Sequence, residues 1–250
     1  MNDQLMLLIE LMGVVGITML LGLSPRFLRR PLAFQFPRRE AIISFSLALV
    51  VGVGLWIIYA RLPTTLPSVP KTFQFSLDQL LRQLMVAVVI ALPFVAAMII
   101  RGQPWRSAGL GRQTLQPSLQ LGLALGLITI FLRGKLYSIL GGLSLSEIYF
   151  LVAMLAIGFA EEFAFRGFIQ SRLAGWIGER WGWVITALIF TLCHIPGQVL
   201  VAGITTPAAL GLSLFDLFVF GLVQGWVMRK SGNIAASGLY YAIHLWAMYL

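Results

Sequence analysis

The sequence predicts an all-α, polytopic membrane protein of about eight transmembrane helices. Three observations predict it. First, 59% of the 250 residues are hydrophobic and only 11% are charged. The mean hydropathy of +0.90 is more than a soluble domain ordinarily carries. Second, apolar runs of roughly 20 residues, the length needed to cross a bilayer, recur along the chain, and the period-2 alternation of a membrane β-barrel is absent. Third, arginine and lysine concentrate in alternate links between those runs, as the positive-inside rule requires of a multispanning chain.

The apolar runs place spans at residues 5–23, 41–59, 84–100, 119–132, 148–170, 181–194, 210–228 and 234–250, with the fourth and sixth short. The N-terminus has no basic region and no small-residue cleavage site, so the first run is read as an uncleaved span. Glu10 is expected to snorkel to the outer end of that span. The first link carries Arg26, Arg29, Arg30, Arg38 and Arg39, with Pro25, Pro31 and Pro37 blocking a continuous helix. The second holds Pro63, Pro67 and Pro70 and reads as a loop, with a short surface helix from Ser76. The third holds Arg106 and Arg112 around Ser107-Ala108-Gly109-Leu110-Gly111. The fourth ends in Ser144-Leu145-Ser146-Glu147, a cap for the long fifth helix. In the seventh span Gly221-x-x-x-Gly225 allows close helix approach. Asp216, in the same span, is expected near the outer interface.

Orientation follows from the loop cations. One set of alternate links holds Arg26, Arg29, Arg30, Arg38, Arg39, Arg101, Arg106, Arg112, Arg172, Arg180, Arg229 and Lys230; the other holds Arg61, Lys71, Arg82, Arg133 and Lys135. The larger set is expected in the cytoplasm, which puts both termini outside. The net charge of +9 is accounted for by topology and anionic headgroups rather than by nucleic acid. Cys193 is the only cysteine, which excludes an intrachain disulfide and a cysteine metal cluster; it reads as a small core residue.

Within the fifth span, Gly158 to Gly167 carries Glu161, Glu162 and Arg166. A charge at mid-membrane costs roughly 2.5–3.5 kcal/mol on insertion scales, so three in six residues mark a functional site. Glu162 and Arg166 are four apart and share a helix face, so they can pair. Glu161 points about 100° away and is left free. The only two histidines, His194 and His244, also lie in apolar helices. Counting along the predicted helices at 1.5 Å per residue puts Glu161, His194 and His244 about 20, 18 and 16 Å from the cytoplasmic end. A cavity at that depth would gather carboxylate, guanidinium and imidazole. That set suits hydrolysis, in which a desolvated carboxylate takes a proton from water while a histidine holds that water directly or through a metal.

Glu161-Glu162-x-x-x-Arg166 followed by Phe190-x-x-x-His194 resembles the first two motifs of the CAAX protease and bacteriocin-processing (CPBP, or abortive-infection) family. These are intramembrane metalloproteases related to the type II CAAX prenyl endopeptidase. The likeness extends to Phe165-Arg166-Gly167-Phe168, to Gly221-Leu222-Val223-Gln224-Gly225-Trp226 and to Ser231-Gly232-Asn233-Ile234. It divides the chain into an N-terminal transmembrane region, 1–142, and a protease-family core, 143–250, integrated in one membrane domain.

The resemblance implies Glu161 as the base, His194 as ligand to the water or metal, and Glu162 with Arg166 as a supporting pair. If a metal is bound, zinc is implied, with Glu161, His194 and His244 as its ligands. The partners implied are the lipid bilayer and a membrane-associated peptide or protein, prenylated or bacteriocin-like, in the plasma membrane of a bacterium. The family's third motif, a histidine followed four residues later by asparagine or a similar residue, is where this chain departs. Counted from Ser231-Gly232-Asn233, those positions are Tyr241 and Leu245; with the helix shifted, they are His244 and Met248. Tyr241 and His244 are therefore the candidates for an oxyanion donor. Two other readings compete. One is a non-catalytic member acting as a membrane scaffold or immunity-type partner-binding protein. The other is a small transporter using Glu161 and Arg166, against which the lack of an internal repeat weighs.

Overall fold

The computed structural model describes residues 3–27, 34–61 and 74–250. All its regular structure is helical: α1 (Asp3–Leu21), α2 (Pro37–Arg61), α3 (Leu77–Ile100), α4 (Arg112–Leu132), α5 (Leu136–Leu140), α6 (Leu145–Glu161), α7 (Ser171–Ile177), α8 (Glu179–Cys193), α9 (Pro207–Ser231) and α10 (Ile234–Tyr249). Two wide π-helical stretches, Glu162–Gln170 and Gly197–Val201, follow α6 and α8. The all-α membrane class is thus as expected. Among the described residues seven helical stretches are long and apolar enough to cross a bilayer, against about eight expected; α10, with 16 residues, falls short of that length. Large apolar side chains such as Leu20, Leu49, Ile100, Leu127 and Phe131 stand exposed around the bundle. So much bare apolar surface is stable in lipid and not in water; this is an integral membrane protein.

Two spans begin earlier than their hydropathy indicates. α3 starts at Leu77, so the short surface helix expected from Ser76 is instead the first turn of the span. Ser76 caps it, accepting from the Gln79 N–H while the Gln79 side chain returns to the Ser76 N–H. α4 starts at Arg112 and runs 21 residues, continuing past Pro117 even though the proline forgoes the N–H bond to the carbonyl four residues back. The cap on α6 forms as expected: Ser144 accepts from the Glu147 N–H and Glu147 reaches back to Ser144. Arg29, Arg30, Pro31, Pro63, Pro67, Pro70 and Lys71 lie outside the described residues.

The links alternate between two ends of the bundle. At one end Glu40 of α2 binds Arg101 and Gln103 beyond α3, and Arg172 of α7. At the same end Arg229 of α9 meets Glu179 of α8, and the Ile234 N–H donates to Gly109. At the other end Phe75, Phe150 and Tyr249 stack edge to face, and Trp246 donates to the Glu147 carbonyl. Arg101 and Arg172, counted from sequence as loop cations, are in fact bound to Glu40, and Arg172 is fully buried, its guanidinium 3.3 Å from the centre of the Phe168 ring. Cysteines placed at Arg106 and at Tyr137, both exposed, should therefore react with a membrane-impermeant maleimide from opposite sides. Labelling of both from one side would break the alternation. Ser107 is unsuited to this test because it is buried.

α10 is the hub. It lies against α4 and α6, and small residues let it in. A Cβ on Gly122 would sit 2.9 Å from both the Ala236 carbonyl oxygen and the Leu239 Cβ. One on Gly158 would sit 3.1 Å from the Gly238 carbonyl oxygen. α10 is launched by the Ser231-Gly232-Asn233 turn. Gly232 takes φ of 71°, which a side chain would strain. Asn233 caps the helix through the Ala235 N–H and ties it to the Gly111 carbonyl.

Candidate active site

Glu161 is the last residue of α6, and the helix widens to π geometry over the next nine residues. Such bulges tend to occur at functional sites. The widened turn keeps the expected pair: Arg166 Nη1 lies 3.2 Å from Glu162 Oε1, both side chains essentially inaccessible. Phe190 is the floor beneath it. The Arg166 guanidinium carbon is 4.0 Å from the centre of the Phe190 ring, a cation–π contact that replaces part of the lost hydration. The Phe190 ring also packs 4.2 Å from the His194 ring. One aromatic residue, four before the histidine, thus positions both the guanidinium and the imidazole.

The Gly-x-x-x-Gly stretch of α9 serves the same segment. Arg166 Nη2 reaches the Gly221 carbonyl at 3.4 Å, and Gln170 Nε2 reaches the Gly225 carbonyl at 3.0 Å. Two side chains four apart on the π stretch read two carbonyls four apart on α9. A Cβ on Gly225 would lie 2.6 Å from Gln170 Oε1 and from Trp183 Cδ1. Gly167 faces the carbonyl of Ala108 so closely that no side chain fits; there the turn Trp105–Ala108 closes over the glutamate segment.

Glu161 itself faces His194. Oε2 of Glu161 and Nε2 of His194 are 3.5 Å apart. His194 Nδ1 is 2.8 Å from the Phe190 carbonyl oxygen. A carbonyl only accepts, so Nδ1 carries the hydrogen, and in the neutral ring Nε2 presents its lone pair to the carboxylate. Glu161 Oε2 is buried without a well-formed hydrogen bond. The Tyr241 hydroxyl of α10 is in hydrogen-bonding reach of Glu161, and Ser237, one turn earlier, is in reach of Glu162. The His194 side chain is 20% accessible against 8% for Glu161, so the histidine is the exposed lip of the site. Sequence reasoning missed Tyr59 of α2 and assigned no site role to Cys193; both lie within electrostatic range of Glu161. Tyr59 gave no signal, since an aromatic near a helix end is ordinary at a membrane interface.

His244 is not in this constellation. Its Nδ1 lies 2.6 Å from Glu10 Oε1, and the same carboxylate receives Tyr240 at 3.1 Å, Thr129 at 3.2 Å and Arg133 Nε at 2.7 Å. Glu10 is fully buried, which corrects the expectation that it snorkels outward. Tyr241 and His244 both touch Phe220 but serve different carboxylates. The register that aligns Tyr241 with the third motif is the one whose side chain meets Glu161. Leu245 is partly buried among apolar neighbours, and Met248 is exposed.

The metal implied by the resemblance asks for three protein donors at a catalytic zinc. Glu161 and His194 supply two. His244 is turned to Glu10, and among the described residues no three His, Cys, Asp or Glu side chains come together. The donors do not make up that set, and no step below passes through a metal.

Family comparison adds to this geometry. Residues 143–247 match the model of the Rce1-like family, described as type II CAAX prenyl endopeptidase Rce1-like. The match covers less than half of the chain, and over it the chain is similar to that family. The matched stretch spans nearly all of α6 to α10, and so includes Glu161, Glu162, Arg166, His194 and Tyr241. The resemblance read from the motifs therefore holds over the matched residues, and the family is one of proteases. No curated protein and no solved structure matches the chain.

Proposed function

We propose that the protein is an intramembrane endopeptidase in which Glu161 activates water against a peptide bond of a membrane-associated substrate. The observation that carries this reading is the 3.5 Å approach of Glu161 Oε2 and His194 Nε2, two lone-pair-bearing atoms close enough for one water to reach both. A water there donates one hydrogen to each. As its oxygen bonds to the substrate carbonyl carbon, Glu161 takes the proton. The carbonyl π pair moves onto oxygen, and the Tyr241 hydroxyl of α10 donates its hydrogen to that oxyanion. When the C–N bond breaks, the nitrogen leaves with the proton from Glu161. Glu162 and Arg166 pair with each other behind the base, so the guanidinium is not drawn onto Glu161. Zinc-assisted water activation and a prenylated or bacteriocin-like substrate remain tied to the family resemblance alone.

Tyr241→Phe should lower turnover roughly 10²- to 10³-fold, the usual effect of losing one oxyanion donor, with an unchanged unfolding midpoint. His244→Ala should do the reverse, lowering the midpoint by freeing Glu10 while sparing the chemistry of correctly folded molecules. A Tyr241→Phe enzyme with full turnover would remove the tyrosine from the mechanism.

Leu245 gives the scaffold reading one specific support, since an apolar side chain stands where the family carries a hydrogen-bonding one. Comparison of trimmed membrane peptides between cells carrying the parent and Glu161→Gln separates the two readings. A difference confined to Glu161-dependent products supports cleavage; identical products, with a partner still co-purifying, support the scaffold. The loop cations further support a cytoplasmic placement of the end that carries Arg106, with both termini outside.

A further inference from the structure

A groove of about 450 Å³ lies where α1 and α9 end, apart from the glutamate site, lined by Gly22, Leu23, Ser24, Glu179, Trp226, Arg229 and Lys230 among others. Its charges are uneven. Arg229 pairs with Glu179 at 3.0 Å, yet Arg229 Nε is buried without a hydrogen bond. Lys230 makes no ion pair among the described residues; its ammonium stands 5.9 Å from the Trp226 ring centre. The lysine stem passes beside Gly22, where a Cβ would lie in ordinary contact, 3.6 Å from Lys230 Cδ. Two cations against one carboxylate leave the groove one positive charge in excess. The Ser24 hydroxyl adds a donor. The groove's edge is bare hydrocarbon: Leu23 in its lining is 83% exposed, and Leu20, one turn back along α1, is 72% exposed.

We infer that this groove binds the phosphodiester headgroup of an anionic membrane lipid. A phosphodiester carries one negative charge, which matches the excess. Its oxygens suit the exposed Lys230 ammonium and the Arg229 guanidinium, whose Nε lacks a hydrogen bond. Its acyl chains have the exposed leucines of α1 to lie against. A free phosphate would satisfy the donors and make no use of that edge. The site sits at a span terminus, where headgroups are found and where each cation favours anionic lipid.

The test uses the full chain in a non-ionic detergent, titrated with short-chain phosphatidylglycerol and read by native mass spectrometry. One phosphatidylglycerol should bind in preference to phosphatidylcholine. Lys230→Gln should weaken it roughly fivefold, and Ser24→Ala should weaken it measurably. Arg82→Gln, which removes a cation from the opposite end, should change nothing. Lys230 is exposed, so its replacement leaves the fold intact. Equal binding by Lys230→Gln and parent would overturn the assignment. Equal affinity for phosphatidylcholine would overturn it as well. Displacement of phosphatidylglycerol by millimolar inorganic phosphate would make this a soluble-anion site and overturn the lipid assignment.

Discussion

Glu161→Gln is expected to abolish cleavage while leaving the folded protein intact. Glutamine keeps the shape and the buried volume of the side chain but cannot take a proton from water. General-base catalysis of this kind contributes roughly 10²–10⁴-fold, and that contribution is lost with the carboxylate. The fold should be indifferent for a reason the geometry supplies. Arg166 is bound to Glu162, not to Glu161, so no buried cation loses its partner. His194 keeps its hydrogen bond to the Phe190 carbonyl and with it its orientation. His194→Ala should be equally inactive, because one of the two groups aimed at the water is gone. Retained cleavage by Glu161→Gln, with a parental unfolding midpoint, would refute Glu161 as the base.

The first two motifs were legible in the sequence because charge in an apolar run is costly and therefore conspicuous. Spacing alone then separated the roles of Glu162 and Glu161, and the structure places their side chains as the spacing indicated. Glu10 was equally conspicuous, yet its partners were not legible. Arg133, His244, Tyr240 and Thr129 lie more than a hundred residues away, and no local spacing links them. A carboxylate in the second turn of a first span is as consistent with snorkelling as with burial. Equal depth placed His244 with Glu161; depth carries no azimuth, and α10 turns His244 to α1 while turning Tyr241 to α6.

The starts of α3 and α4 were illegible for a simpler reason. Leu77 to Arg82 and Arg112 to Gln116 are polar enough to end a hydropathy window, though helical hydrogen bonding runs through them. The π stretch at Glu162–Gln170 gave no warning either. It contains no proline, and its one glycine, Gly167, reads equally well as close packing. What the widening achieves is visible only with α9 in place: Arg166 and Gln170 reach the carbonyls of Gly221 and Gly225. The glycine pair, read from sequence as packing alone, is also the acceptor surface for the segment that follows the base.

Arg166→Ala is expected to be the most destabilising single change in this site, by roughly 3–5 kcal/mol, the usual result of removing one partner of a buried ion pair. Three interactions go together. Glu162, fully buried, loses the only guanidinium beside it. The Gly221 carbonyl loses its donor at 3.4 Å. Phe190 loses the cation 4.0 Å from its ring centre and faces a void the size of an arginine side chain. The first of these dominates, because an unpaired carboxylate at this depth must be neutralised or hydrated, and both require the helices to part. The double variant Glu162→Gln with Arg166→Met should therefore recover much of the loss. It removes both charges and fills most of the volume, and replacing a buried pair by groups of similar size is often close to neutral. Reversible unfolding in mixed micelles measures all three proteins. Recovery in the double variant assigns the cost to the orphaned charge; equal instability of single and double variants would assign it to packing on Phe190. An Arg166→Ala protein as stable as its parent would show that neither the pair nor the contact to the Gly221 carbonyl stabilises the packing of the π stretch on α9.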